Sequence, residues 1–272
     1  MSFLILECGS AARGDINKHS DRDLVCVWSD TPPDYSSLQK KYGNIMFYSA
    51  LSIKKMSEKG SLFLTHLDRD SKYLAGDIKL FCSFSGYRPQ KSQIKESLIN
   101  TANFIREIHW HPETLIGKLW LYDVLYVSLR NLVYCKNAMN DNYLFGYEDA
   151  IEKLQLTQYT RSIMLLIREG KYSFRSGDFK EPNNLSIKGV EDVCREITGH
   201  SVNFLAGGIT NWQDIKRQDY WAERLIERAI INGEYNDSVF LNEIKTHNYN
   251  KYLIKSHVAK ILELKKLPHK SC

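Results

Sequence analysis

Two aspartates, Asp21 and Asp23, stand two residues apart where a second apolar run, 24 to 28, opens. The first such run, 3 to 8, closes on Gly9-Ser10. Runs this short, rich in Ile, Val and Phe and bounded by turn residues, read as strands. Residues i and i+2 of a strand point to one face, so the two carboxylates stand side by side. Adjacent carboxylates of this kind hold one or two Mg²⁺ (or Mn²⁺) ions against nucleotide phosphates. Gly9 has no Cβ, so a phosphate can come close to the backbone, where the Ser10 hydroxyl and the following N–H groups can donate to it. Arg13 is placed to add a charge-assisted bond, and Ser20 fits either a turn cap or a nucleotide contact.

Gly9-Ser10-Ala11-Ala12-Arg13-Gly14-Asp15 followed by Ser20-Asp21-Arg22-Asp23-Leu24 resembles the signature of the DNA polymerase β nucleotidyltransferase superfamily. Its form is similar to the minimal and kanamycin-type nucleotidyltransferases. The resemblance is specific over 1 to 75 and looser over 90 to 155, where Arg130-Asn131-Leu132-Val133-Tyr134 and Phe145-Gly146 resemble an appended helical bundle. It implies an α+β fold: a small mixed β-sheet nucleotidyltransferase domain at 1–88, then an α-helical bundle that binds the acceptor at 89–185. The resemblance does not reach 186–272, where a C-terminal helical segment with a basic tail is expected. It also implies the roles: Asp21 and Asp23 catalytic and metal-holding, Gly9, Ser10 and Arg13 on the phosphates, with ATP or CTP as the expected NTP.

One departure concerns the third carboxylate that the family commonly supplies from a later strand. Residues 35 to 57 contain no Asp or Glu, and Asn44 stands near the expected position. Asp68 or Asp70, after His66, and Glu113 or Glu148, in the helical part, are the substitutes. His66, in an apolar stretch 61 to 67 that reads as a strand, is either a hydrogen-bonded structural histidine or an accessory contact.

Further along, a short helix is expected at 51 to 59, ending at Gly60. A longer one follows Pro112-Glu113-Thr114, with Leu115, Leu119, Tyr122, Tyr126, Leu129 and Val133 on one stripe. A third covers 147 to 169, with Gly170 as its stop. His109 and His111 flank Trp110 without another ligand at metal spacing. Arg130-Asn131 resembles the start of a HEPN ribonuclease signature, but no histidine follows in range, which argues against that activity.

The six cysteines, 8, 26, 82, 135, 194 and 272, form no close pair and suit reduced, mostly buried thiols. No apolar run reaches the length of a membrane span and no secretion signal opens the chain, so a cytoplasmic protein that does not enter a membrane is expected. Of the formal charge of +5, residues 245–272 carry seven lysines against Glu263 alone. That tail suits RNA phosphates, with Tyr249 and Tyr252 able to stack on bases, or equally a docked amphipathic helix.

The expected activity is transfer of a nucleoside monophosphate from an NTP to an acceptor with release of pyrophosphate. A tRNA or other RNA acceptor, in a toxin or phage-defence role, stands first. A protein side chain, as in antitoxin-type adenylylation, and an aminoglycoside-type antibiotic follow. The rival is a non-catalytic nucleotide- or RNA-sensing or partner-binding module. A homodimer sharing its site between subunits is a further expectation of the kanamycin type.

Overall fold

The structure is a computed structural model that describes residues 2–15, 22–211, 220–234, 238–239 and 242. Ser20, Asp21 and the tail 245–272, with the amphipathic helix considered for it, lie outside the described residues. In chain order the elements are β1 (Ser2–Cys8), α1 (Gly9–Arg13), β2 (Asp23–Ser29), α2 (Tyr35–Tyr42), β3 (Ile45–Ser49), α3 (Ala50–Glu58), α4 (Leu62–Asp70) and β4 (Lys72–Gly76). A 3₁₀ turn (Ile78–Ser83) follows, then α5 (Lys91–Glu107), β5 (Trp110–His111), α6 (Leu115–Met139), α7 (Tyr147–Lys153), α8 (Gln158–Ser176), α9 (Ile187–Thr198), β6 (Leu205–Ala206) and α10 (Tyr220–Ile231). The protein is thus a mixed α/β chain with a small mixed sheet, compatible with an α+β class.

The chain forms two compact units, one of residues 1–100 with 130–156 and one of 101–129 with 157–272. The division falls inside α5 and α6, each of which gives one stretch to each unit.

In the first unit the sheet runs β3-β2-β1-β4, with β1 antiparallel to both β2 and β4, and β2 parallel to β3. Alternation along the strands divides the apolar residues between two faces. Leu4, Leu6, Cys8, Val25 and Val27 pack with Ile53 of α3, Leu64 and Leu67 of α4, and Phe84. Ile5, Leu24, Cys26 and Ile45 pack on the other side with Leu38 and Tyr42 of α2. A separate cluster of Ile94, Cys135, Ala138, Tyr143 and Phe145 joins the parts of α5 and α6 that belong to this unit.

The second unit is mainly helical. Its stretch of α6 is buried on every side from Leu119 to Tyr126, wider than the expected stripe, and Leu115 at the stripe's start is exposed. A helix apolar all round is a central core helix. Along α8 the buried Thr160, Ile163, Met164, Ile167, Gly170 and Phe174 recur every three or four residues, and Val190, Val193, Cys194 and Ile197 do the same along α9.

Three expectations need correction. The stretch 61 to 67 is not a strand but the first part of α4, opened by Ser61 and burying Leu64, Thr65 and Leu67. So short an apolar run does not distinguish a strand from a buried helix by its period. The expected single helix over 147 to 169 is two, α7 and α8. Gln155 takes a left-handed φ of 53°, and the Thr157 side chain caps α8 by accepting from the Thr160 N–H. Gly170 does not stop α8, which runs on to Gly177. A Cβ on Gly170 would lie 2.6 Å from Cδ2 of Tyr122, so the missing side chain serves helix packing. The remaining strand and helix expectations, 3 to 8, 24 to 28, 51 to 59 and the helix after Thr114, match elements to within a few residues.

Cys8, Cys26, Cys135 and Cys194 are buried free thiols and Cys82 is an exposed one. Among the described residues no helix is long and apolar enough to cross a membrane.

Candidate nucleotide and metal site

The strand register builds this site. Cys8, the last residue of β1, pairs with Asp23, the first of β2, so the chain leaves β1 beside that carboxylate. Gly9 then turns into α1 with a φ of +71°. A Cβ there would lie 2.6 Å from Oδ2 of Asp23. Glycine is required twice over, by its left-handed backbone and by the carboxylate that stands in the space a side chain would fill. Asp23 is exposed and shares its strand face with Val25 and Val27, the face on which α3 and α4 pack. Next to it, the Arg22 Nε donates to Oε1 of Glu7 at 2.6 Å and fastens the entry of β2 to β1.

Two observations bear on a cation here. The cradle left by Gly9 opens onto the Asp23 carboxylate, and Asp21, the i−2 partner, lies outside the described residues. Among the described residues no group of three His, Cys, Asp or Glu gathers in a form that would hold a metal. Asp23 is an exposed oxygen donor that could hold a cation with oxygens from a substrate completing its shell, the mode usual for Mg²⁺ on phosphates.

Arg13, in the last turn of α1, is partly buried and held by its neighbours. Its Nε and Nη2 donate to Oδ2 of Asp15 at 3.3 and 3.2 Å, and its Nη1 lies 3.3 Å from Nε2 of His66 and 3.6 Å from Oδ2 of Asp70. His66 and Asp70 stand one turn apart on α4, their Nε2 and Oδ2 3.7 Å from each other. The His66 ring lies over Phe145, centroids 4.7 Å apart at 31°. The Tyr134 hydroxyl in turn donates to the Phe145 carbonyl at 2.7 Å.

Burial, and after it the charges of Arg13 and Arg130, lower the His66 pKa to about 4. Burial raises Asp70 despite Arg13 and Arg69. Burial and the nearby Asp23 carboxylate push the Cys8 thiol up to about 12, so that buried sulfur stays protonated.

The expected substitutes for a third carboxylate are placed as follows. Asp68 turns to the loop beyond β4, accepting from the Gly86 N–H at 2.9 Å and pairing with Arg88 at 2.7 Å. Asn44 comes one residue before Ile45, which pairs with Leu24, so it stands at the level of Asp23 but carries a neutral amide. Glu113 belongs to the other unit, where it lies against Gly207. Two acids outside that set converge within the first unit: Oδ2 of Asp149 and Oδ2 of Asp15 lie 2.8 and 3.7 Å from the point a Cβ would take on Gly146. Asp15, Phe145 and Asp149 were not singled out by sequence as site residues. The signal was present only for Asp15, two residues from Arg13 beyond the Gly14 cap. His109 and His111 form no metal group, and the buried His111 has its Nδ1 2.8 Å from the Pro112 carbonyl.

Two results are expected from this geometry. Gly9→Ala forces a left-handed alanine and drives its methyl into Asp23, a strain of about 1–3 kcal/mol. Urea denaturation should show that loss, and NTP affinity should fall with it. An alanine variant as stable and as tight-binding as the parent would show that the turn carries neither constraint.

The second result concerns acid. His66 has a folded pKa below its unfolded value, so between about pH 6.5 and 4 the unfolded chain binds the extra proton and stability falls as pH falls. Unfolding of the parent should steepen over that window relative to His66→Gln, by at most on the order of 3 kcal/mol. Parallel curves would place His66 in an ordinary solvated setting.

No family model, curated protein or solved structure matches the chain.

Proposed function

We propose that the chain is a nucleotidyltransferase, moving a nucleoside monophosphate from an NTP to an acceptor with release of pyrophosphate. The observation that carries this reading is the side-chain-free cradle at Gly9 against the Asp23 carboxylate, where β1 hands over to α1. The order β1-α1-β2-α2-β3, with β2 parallel to β3 and antiparallel to β1, supports a nucleotidyltransferase fold. In this account Gly9 admits the phosphates to the backbone and the Ser10 hydroxyl donates to them. Arg13 holds positive charge nearby, and Asp21 and Asp23 hold Mg²⁺, which would offset the charge developing on the phosphates.

An RNA acceptor is proposed first, because the lysines of 245–272 make the one strongly basic stretch of the chain. A protein side chain needs no such tail, and a polycationic antibiotic would not be drawn to it. The lack of any Asp or Glu in 35–57, with the neutral Asn44 at the level of Asp23, favours a second reading, a non-catalytic module that binds nucleotide or RNA.

The test is incubation with each α-³²P-labelled NTP and Mg²⁺, alone, with total RNA, with a cell protein extract and with an aminoglycoside, beside an Asp21→Ala/Asp23→Ala control. Label on a tRNA-sized band or on a protein, lost in the control, establishes transfer and names donor and acceptor class. Nucleotide binding without transfer to any of these acceptors, antibiotics included, supports the module.

A further inference from the structure

Resting on the reading of Gly9, Ser10 and Asp23 as a nucleotide site, we propose that His66 is a positioning residue for Arg13, an uncharged acceptor whose bare Nε2 accepts a hydrogen bond from the Nη1 N–H. A guanidinium has donors on every nitrogen and no acceptor. An imidazole nitrogen 3.3 Å from Nη1 cannot therefore carry its own proton toward it, so the ring proton sits on Nδ1. The ring is held for this task. His66 lies on α4 between the buried Leu64 and Leu67, and its face rests on Phe145.

The three sides of the guanidinium are then accounted for. Asp15 takes Nε and Nη2, His66 takes Nη1, and Asp70 stands 3.6 Å from that same nitrogen. The choice of a neutral acceptor has a physical reason. Asp15 and Asp70 already offset the Arg13 charge, and a third carboxylate would make the cluster more negative where a polyphosphate has to bind, whereas an imidazole fixes direction and adds no negative charge. The groups facing His66 agree with a neutral ring. Arg13 and Asp15 come from α1 and the turn after it, Asp70 from α4 and Arg130 from α6, and burial with the two arginines disfavours a third cation among them. His66 is thus assigned no contact with the reacting atoms. It acts through Arg13 on a triphosphate ligand.

The experiment has two arms, both on the full chain. Long-range ¹H–¹⁵N correlation spectra at pH 7 should show His66 as the Nδ1–H tautomer with Nε2 unprotonated. Calorimetric titration with Mg·ATP and Mg·CTP should then compare His66→Gln, whose amide oxygen can accept, with His66→Phe, which keeps a ring on Phe145 but offers no acceptor. Gln should hold affinity within about threefold of the parent, and Phe should weaken it about tenfold or more, the size of a hydrogen bond to a charged group. Thermal midpoints of the two variants should be similar. An Nε2–H tautomer, or a His66→Phe variant that binds like the parent, overturns the proposal. Absence of NTP binding by the parent would instead overturn the nucleotide reading, and the tautomer arm would still decide the role of His66.

Discussion

Asp123→Ala is expected to destabilise the protein by about 3–5 kcal/mol, the cost of breaking a buried charge cluster by removing one member. Asp123 is fully buried on α6, in the midst of apolar neighbours. It accepts from Nε and Nη2 of Arg175 at 2.9 and 2.7 Å, a two-pronged bond, and from Nη2 of the nearly buried Arg224 at 2.5 Å. Burial alone would raise its pKa, but Arg175 and Arg224 outweigh burial and hold it below the ordinary carboxylate value. Arg224 also pairs with Glu227, whose carboxylate accepts from Nε1 of Trp120 at 3.1 Å, so the cluster ties α6, α8 and α10 together within one unit. Alanine leaves two guanidinium groups facing a void, one of them with almost no access to water. Asparagine should be nearly as costly, since its amide can accept only part of what the carboxylate accepts and supplies no charge. Urea denaturation measures both, and losses below about 1 kcal/mol would show that water reaches the cluster and that its burial is illusory.

Asp23→Ala is the variant with the largest expected effect on activity. If Asp23 holds a metal against the phosphates as proposed, removing its carboxylate forfeits several kcal/mol of transition-state stabilisation, about a thousandfold in rate at 4 kcal/mol. Asp23 is exposed at a strand end, so its loss should leave the urea midpoint almost unchanged. That separates it from Asp123→Ala, which should unfold easily. Asp23→Asn keeps the shape and removes the charge, and should be impaired nearly as much. Transfer that persists at a tenth or more of the parent rate in Asp23→Ala would place the metal elsewhere.

The sheet was legible because its strands alternate and its turns are marked. Leu4, Leu6 and Cys8 against Ile5, and Val25 and Val27 against Leu24 and Cys26, follow the period of two, with Gly9, Pro32-Pro33 and Gly43 at the breaks. The identity of α4 was not legible, because Leu62, Phe63, Leu64 and Leu67 satisfy a buried strand and a short helix alike. The break between α7 and α8 was hidden by composition. Leu154-Gln155-Leu156 would suit a helix, and only the capping Thr157 marks the restart. Gly170 shows the converse, a breaker by propensity whose missing side chain lets Tyr122 pack close to the helix.

The candidate site divides in the same way. Gly9 and Asp23 were visible because both are fixed by local sequence, one at a strand end and the other at the next strand's start. The fastening of Arg13 by His66 and Asp70 was not, because it depends on α4 folding back over β1 from more than fifty residues away. The Asp123 cluster left one trace in the sequence, a lone acid inside Leu119-Trp120-Leu121-Tyr122-Asp123-Val124-Leu125. A carboxylate in such a run has to find buried partners, but nothing in the sequence tells which arginines of α8 and α10 supply them.

The most direct test of the central claim is calorimetric titration of the full chain with Mg·ATP and Mg·CTP, repeated with EDTA and with Asp23→Ala. Saturable binding of at least one nucleotide by the parent is expected, lost or weakened at least about tenfold when either the metal or the carboxylate is removed. Binding indifferent to both, or no binding of any NTP, would contradict that claim.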